Sequence, residues 1–248
     1  MKLNKTLPYQ INPYQGAVLD TDSLPDNESD FLNILKETIT QIRKKNLQLI
    51  WLYLPKARAD LVASVVNYGF SYHHADENGL QLIFKIYPEA FVPGYATHFI
   101  GAGGVLIDDS NRILVIQERY HKHKHYKLPG GALEPGEHIS HAVEREVFEE
   151  TGISSKFLSL NCFRHWHGYR YGKSDIYFVC RLKPLSFEIK IDHTEISEAI
   201  WMPVDDYLSD KDTHPFNRKI VETSLTTTGL KLNTITDYGN PESHEMMF

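Results

Sequence analysis

The chain has 248 residues, 42% of them apolar, and a formal net charge of −6. That length suits one large or two modest domains with a real core, and the acidic balance argues against broad nucleic-acid binding. No run approaches the roughly 18 to 20 apolar residues of a membrane span, and the start MKLNKTLPYQ lacks the apolar stretch of a signal peptide.

In chain order, apolar periodicity predicts a helix over Asp30 to Lys45, a strand over Leu47 to Leu54, a helix over Ala57 to Tyr68 and a strand over Leu80 to Tyr87. These make a small α/β unit. The tract YPEAFVPGYATH then carries two prolines and a glycine, which marks a boundary. We place the N-terminal α/β domain at 1–94 and a second domain at 95–248.

In the second domain, strands are predicted at Thr97 to Ile107 and Arg112 to Gln117, with Asp108 to Asn111 as the turn between them. A glycine-rich loop and a helix follow. Phe157 to Trp166 and Asp175 to Leu182 read as a second strand pair, Ala199 to Pro203 as a short strand, and Pro215 to Thr223 as a closing helix.

The most informative segment is GALEPGEHISHAVEREVFEETGI, Gly131 to Ile153. Glu146, Glu149 and Glu150 fall at i, i+3 and i+4, so they share a helix face and repel one another. Glu149 and Glu150 also stand in the last turn, where the dipole is already negative. Taking about 100° per residue, Ile139, Ala142 and Val143 lie within about 60° of Glu146. The stripe that faces the core therefore begins apolar and turns acidic, and inward carboxylates need a cation, for which Mg²⁺ or Mn²⁺ with oxygen ligands is suited.

Residues around the acids have physical roles of their own. Pro129, Gly130 and Gly131 make a tight turn that lets backbone approach a ligand. Glu137 is expected in the first helical turn, where it suits the dipole or binds metal. Arg145 can lock a neighbouring acid bidentately, and Gly152 fits the left-handed position that ends the helix.

The same residues resemble the Nudix box, Gly-x5-Glu-x7-Arg-Glu-U-x-Glu-Glu-x-Gly-U with U apolar. Gly131, Glu137, Arg145, Glu146, Val147, Glu149, Glu150, Gly152 and Ile153 fill its fixed places. Seven fixed identities arise by chance with probability on the order of 10⁻⁹ per starting position. Pro93 to His98, the box and the later tract Gly172 to Tyr177 are similar to the subgroup containing the fibroblast growth factor antisense-type Nudix protein and its plant relatives. The resemblance implies a Nudix α/β/α sandwich with a mixed sheet. It also implies metal-dependent hydrolysis of a nucleoside diphosphate linked to another group, with ADP-ribose or NADH as substrate.

On that reading Glu146, Glu149 and Glu150 hold Mg²⁺ or Mn²⁺, with the Gly130 carbonyl as a further ligand. Arg145 supports the acids, and the base is Glu146 or an acid of the downstream loop, Glu195 or Glu198. Substrate contacts are expected from Arg119 and Lys127, in a basic tract that also holds His121, Lys122, His123, Lys124 and His125, and from Arg164 and Trp166 in an aromatic and cationic tract running from Phe163 to Tyr171. The His121, His123 and His125 alternation is read as loop in preference to a metal site, and Tyr126 as core or pocket. Two other functional classes stay open: an enzyme that removes a nucleotide cap from RNA, and a regulatory or binding protein with a silent catalytic module. Cys162 and Cys180 are far apart in sequence and read as free thiols of a reducing compartment, the cytoplasm. The expected partner is a small nucleotide, without membrane or nucleic acid. The N-terminal unit is left with two roles, homodimer formation or forming one wall of the pocket.

Overall fold

The computed structural model describes residues 6–22, 24–120 and 125–248. The chain divides into two compact units, Met1–Ala96 and Thr97–Phe248. No helix among the described residues is long and apolar enough to cross a membrane.

In the first unit, β1 (Tyr9–Ile11), β2 (Gly16–Leu19), β3 (Leu49–Pro55), β4 (Ser71–Ala75) and β5 (Gly79–Lys85) form a sheet in the order β1-β2-β3-β5-β4. Only the β2–β3 pair is parallel. Helix α1 (Glu28–Lys44) starts where the Asn27 side chain accepts from the Ser29 and Asp30 N–H groups at 2.9 and 3.2 Å. Phe31, Leu35, Ile39 and Ile42 recur at helical spacing and are buried. The helix expected over Ala57 to Tyr68 is split into a 3-10 segment, Lys56–Leu61, and a short α2, Val62–Tyr68. Arg58 leaves helical geometry there, and its guanidinium donates to the Pro25 carbonyl at 2.8 Å. Strand β4 went unforeseen because its sequence, SYHHA, is largely exposed and carries no apolar alternation.

The second unit contains β6 (His98–Leu106), β7 (Arg112–Glu118), β8 (Gly130–Ala132), α3 (Ile139–Thr151), β9 (Ser155–Trp166), β10 (Ser174–Pro184), β11 (Ile196–Pro203), α4 (Val204–Ser209) and α5 (Pro215–Thr226). One sheet runs β8-β6-β10-β9, with β6 and β10 parallel and the other neighbours antiparallel. Strands β7 and β11 pair separately. The expected turn at Asp108 to Asn111 is present, but it does not make a hairpin. After the single bridge between Ile107 and Ile113, β6 goes to β8 and β10 while β7 goes to β11.

Alternation along the strands divides the core in two. Ala102, Leu106, Cys180 and Leu182 pack with Val143 and Val147 of α3. Val105 and Val179 turn the other way and pack with Tyr207, Ile220 and Val221 of α4 and α5. Helices on both faces of a mixed sheet make the α/β/α sandwich that the sequence implies. Cys162 and Cys180 are free.

The turn at 108–111 depends on one buried carboxylate. Asp108 is 8% exposed and accepts from the Ser110 and Arg112 N–H groups at 2.9 and 2.8 Å and from the Arg112 guanidinium at 2.8 Å. Burial pushes this carboxyl up, but the Arg112 and Ser110 donors outweigh it and hold it below the ordinary value. A depressed folded-state pKa gives stability that is complete above the unfolded value of about 3.9 and lost as pH falls through the depressed one. Asp108→Ala is therefore expected to lower stability by about 1–3 kcal/mol at pH 7. Urea denaturation should show the deficit shrinking below pH 4, and a deficit independent of pH would refute the ionic account.

Candidate active site

Helix α3 is built to carry acids inward. Val143 and Val147 are fully buried on the sheet, and Glu150 continues that buried side at 8% exposure. The helix stops at Gly152, whose φ of 71° is left-handed and whose N–H donates to the Phe148 carbonyl at 2.7 Å. Its start is capped from far away: His138 supplies no side-chain cap, and the Glu245 carboxylate accepts from the Ile139 and Ser140 N–H groups at 2.9 and 3.1 Å. A partner 106 residues downstream leaves no local signal.

The acids then separate in role. Glu146 and Glu150 point into a cleft, whereas the Glu149 side chain is 57% exposed and is not part of the cleft wall. All three motif acids were expected on the site; Glu146 and Glu150 line the cleft, and Glu149 meets Glu146 through Arg145 outside its wall. Arg145 ties the group. It donates to both oxygens of Glu137 at 2.8 and 2.9 Å, to Glu146 at 3.0 Å and to Glu149 at 2.9 Å. Glu137 lies ahead of α3, not in its first turn, and its bonds to Arg145 keep its carboxyl below the usual range.

Burial raises the Glu146 carboxyl despite Arg145 beside it. Burial pushes Glu150 up to about 7, against the opposing pull of Lys127 and of the Gly130 N–H, which donates to it at 2.7 Å. The glycine turn permits this closeness. Gly130 has a φ of 147°, and a Cβ on Gly131 would collide with the Glu146 carboxylate.

The cleft, about 860 Å³, lies within the second unit. Glu118, Lys127, Glu146, Glu150 and Glu195 form its charged wall. Phe99, Arg164, Trp166, Tyr169 and Phe216 form an aromatic one. Tyr177 joins them: burial raises its phenol pKa and the nearby charge of Glu150 adds to this, while Arg164 pulls the other way.

Of the residues expected from sequence, Lys127, Arg164, Trp166, Glu195 and Gly130 meet on the cleft. Lys127 is paired with Glu118. Arg119 is not among the lining residues, and its guanidinium donates to the His193 carbonyl. Glu198 accepts from Tyr126 Oη at 2.9 Å and lies off the cleft. Residues His121 to Lys124 fall outside the described residues. Among the described residues no three carboxylate, imidazole or thiolate groups converge on one point. Glu118, Asp175 and Tyr177 were missed. For Tyr177 the glycines of β6 are a sequence signal, because a Cβ at Gly101 or Gly103 would strike its ring.

Residues 97–223 match the family model described as NUDIX domain, and residues 7–86 match a second described as Nudix hydrolase domain. Nudix hydrolase 8 of Arabidopsis thaliana is 36% identical over 79% of this chain and 54% of its own length. Nudix hydrolase 2 of the same plant is 35% identical over 82% and 75%. Human nucleoside diphosphate-linked moiety X motif 6 is 37% identical over 77% and 62%. The chain thus spans between 54% and 75% of the length of these curated relatives. Among solved structures, a NUDIX hydrolase from Nitrosomonas europaea is 28% identical, with a TM-score of 0.49, over 57% of this chain and 99% of that one.

A mixed-sheet sandwich with an inward acidic helix and a glycine turn beneath it defines a Nudix-type domain. The chain belongs to the Nudix hydrolase family, and its plant and animal relatives are those that the subgroup resemblance points to.

Arg145→Ala would leave Glu137, Glu146 and Glu149 facing one another without their shared cation. The expected cost is about 1–3 kcal/mol at neutral pH, read by thermal denaturation. Unchanged stability would mean that the clamp has no structural weight.

Proposed function

We propose that this chain is a metal-dependent pyrophosphohydrolase that splits the diphosphate of a nucleoside diphosphate joined to a second group, with ADP-ribose or NADH as the substrate. The observation that carries this reading is the pair of mutually repelling carboxyl groups, half-buried Glu146 and buried Glu150, set side by side on the cleft wall. The names of the relatives, nucleoside diphosphate-linked moiety X motif and Nudix hydrolase, support the substrate class.

The donor set suits a hard divalent ion. Mg²⁺ is commonly held by one or two carboxylates plus substrate phosphates, and the residues at hand are Glu146, Glu150 and the Gly130 backbone. Glu149, whose Oε2 accepts from Arg145, stands off the cleft wall and has its other oxygen to offer. A bound Mg²⁺ or Mn²⁺ supplies charge for the phosphate oxygens and acidifies the attacking water. Arg145 orients Glu146, as outer partners of metal-binding carboxylates do. Glu195 lines the cleft away from α3, and we assign it the water's proton; Glu146 is the other candidate. Lys127 sits where it can meet a phosphate oxygen, and Arg164 and Trp166 where they can meet the rest of the substrate. Two free thiols suit a reducing compartment, and on that ground we place the protein in the cytoplasm.

The test is turnover of ADP-ribose, NADH and capped RNA with Mg²⁺ or Mn²⁺, read as release of mononucleotide. Glu150→Gln and Glu146→Gln are expected to lower kcat by about 10²-fold or more, and a chelator to abolish turnover. Full rate in either variant, or in excess chelator, would sink the proposal. Preferential release of capped ends from RNA would move the substrate to the nucleic-acid class.

A further inference from the structure

Arg164 is an unusual cation for a diphosphate cleft. Its Nη2 is paired with Asp175, whose side chain is 8% exposed, so its charge is compensated inside the protein. Its guanidinium lies over three rings, with centroids 5.6 Å away for Trp166, 5.6 Å for Tyr177 and 5.1 Å for Phe216. Stacking of this kind fixes the plane of the group and suits arginine better than lysine. The Nε–H is buried and has no hydrogen-bond partner. A buried donor without an acceptor is uncommon in a native structure and calls for an explanation; it belongs to a residue that lines the cleft.

Trp166 supplies the complementary half. Its indole is 56% exposed although it lines the cleft, so it has ring surface open to a ligand. Phe99 and Tyr169 extend the aromatic wall, their rings 5.8 Å apart and edge to face. A flat heterocycle with acceptor nitrogens needs a ring to stack on and a fixed donor at its edge.

We propose that Arg164 and Trp166 read the nucleobase of the substrate, the indole stacking on the ring and the Arg164 Nε–H donating to a ring acceptor, while the diphosphate is held elsewhere in the cleft. Asp175 is the positioning residue, because it cancels the charge and sets the guanidinium plane. The proposal rests on the hydrolase reading only for the kind of molecule bound.

The experiment is equilibrium binding of AMP and of ribose 5-phosphate, the same molecule without its base, to the full chain, followed by calorimetry and tryptophan fluorescence. The unaltered chain should bind AMP more tightly than ribose 5-phosphate. Arg164→Lys and Trp166→Leu should each weaken AMP by about tenfold or more and leave ribose 5-phosphate unchanged. Trp166→Phe, which keeps a ring, should restore most of the AMP affinity and so separates stacking from misfolding. Equal losses for both ligands would make Arg164 a phosphate clamp and overturn the proposal, as would AMP affinity indifferent to Arg164→Lys and Trp166→Leu or no preference for AMP over ribose 5-phosphate. Neither measurement requires turnover. A chain that discriminates AMP in this way but hydrolyses no diphosphate would refute the hydrolase reading and leave the base subsite standing.

Discussion

Two carboxyl groups that would each prefer water are kept beside one another on the inner side of α3, and the surrounding structure answers to that constraint. Glu150 is the more deeply buried, and burial raises its carboxyl to about 7. Such a group is tolerated because the hydrophobic stripe of Val143 and Val147 holds the helix down. Lys127 and the Gly130 N–H also draw Glu150 towards its charged form. Arg145 does the same for Glu146 and is itself fixed by Glu137. A protein selected for stability alone would put aliphatic side chains at these two places. The arrangement makes physical sense when a cation visits the cleft.

The sandwich supplies the geometry. Parallel pairing of β6 with β10 brings Gly101 and Gly103 against Tyr177, and antiparallel pairing with β8 brings the Gly130 turn beneath α3. One sheet therefore offers acids from a helix on one face and aromatic groups from β9, β10 and α5 to the same space. The helix is secured at both ends, by Gly152 at one and by Glu245 at the other. Its acids thus stand on a rigid element, a requirement for holding a reacting group to within a fraction of an ångström.

Charge compensation distinguishes the parts of the cleft. Where the carboxyl groups gather, negative charge exceeds the cations that answer it. Around Arg164 the charge is balanced by Asp175 and covered by rings. On the proposed reading an anionic diphosphate would meet the first region only through a bound cation, and the flat end of the same ligand would meet the second.

The Gly131 to Ile153 segment disclosed a great deal by itself: a helix ending at Gly152, an apolar stripe that turns acidic, and Arg145 able to lock its neighbours. These features are local, set by a period of 3.6 residues and by backbone conformation, so no tertiary information was needed to read them. The strand alternation behind the sandwich was legible for the same reason. Tertiary structure decided which acids meet. Glu149 and Glu150 are adjacent in sequence, yet one faces solvent beside Arg145 and the other the cleft. It also decided that β6 and β7 part company after a turn that looks like a hairpin, that Glu198 is held by Tyr126 while Glu195 stays on the cleft, and that Glu245 caps a helix 106 residues before it. Each of those outcomes depends on contacts between residues distant in the chain, where periodicity and spacing carry no signal.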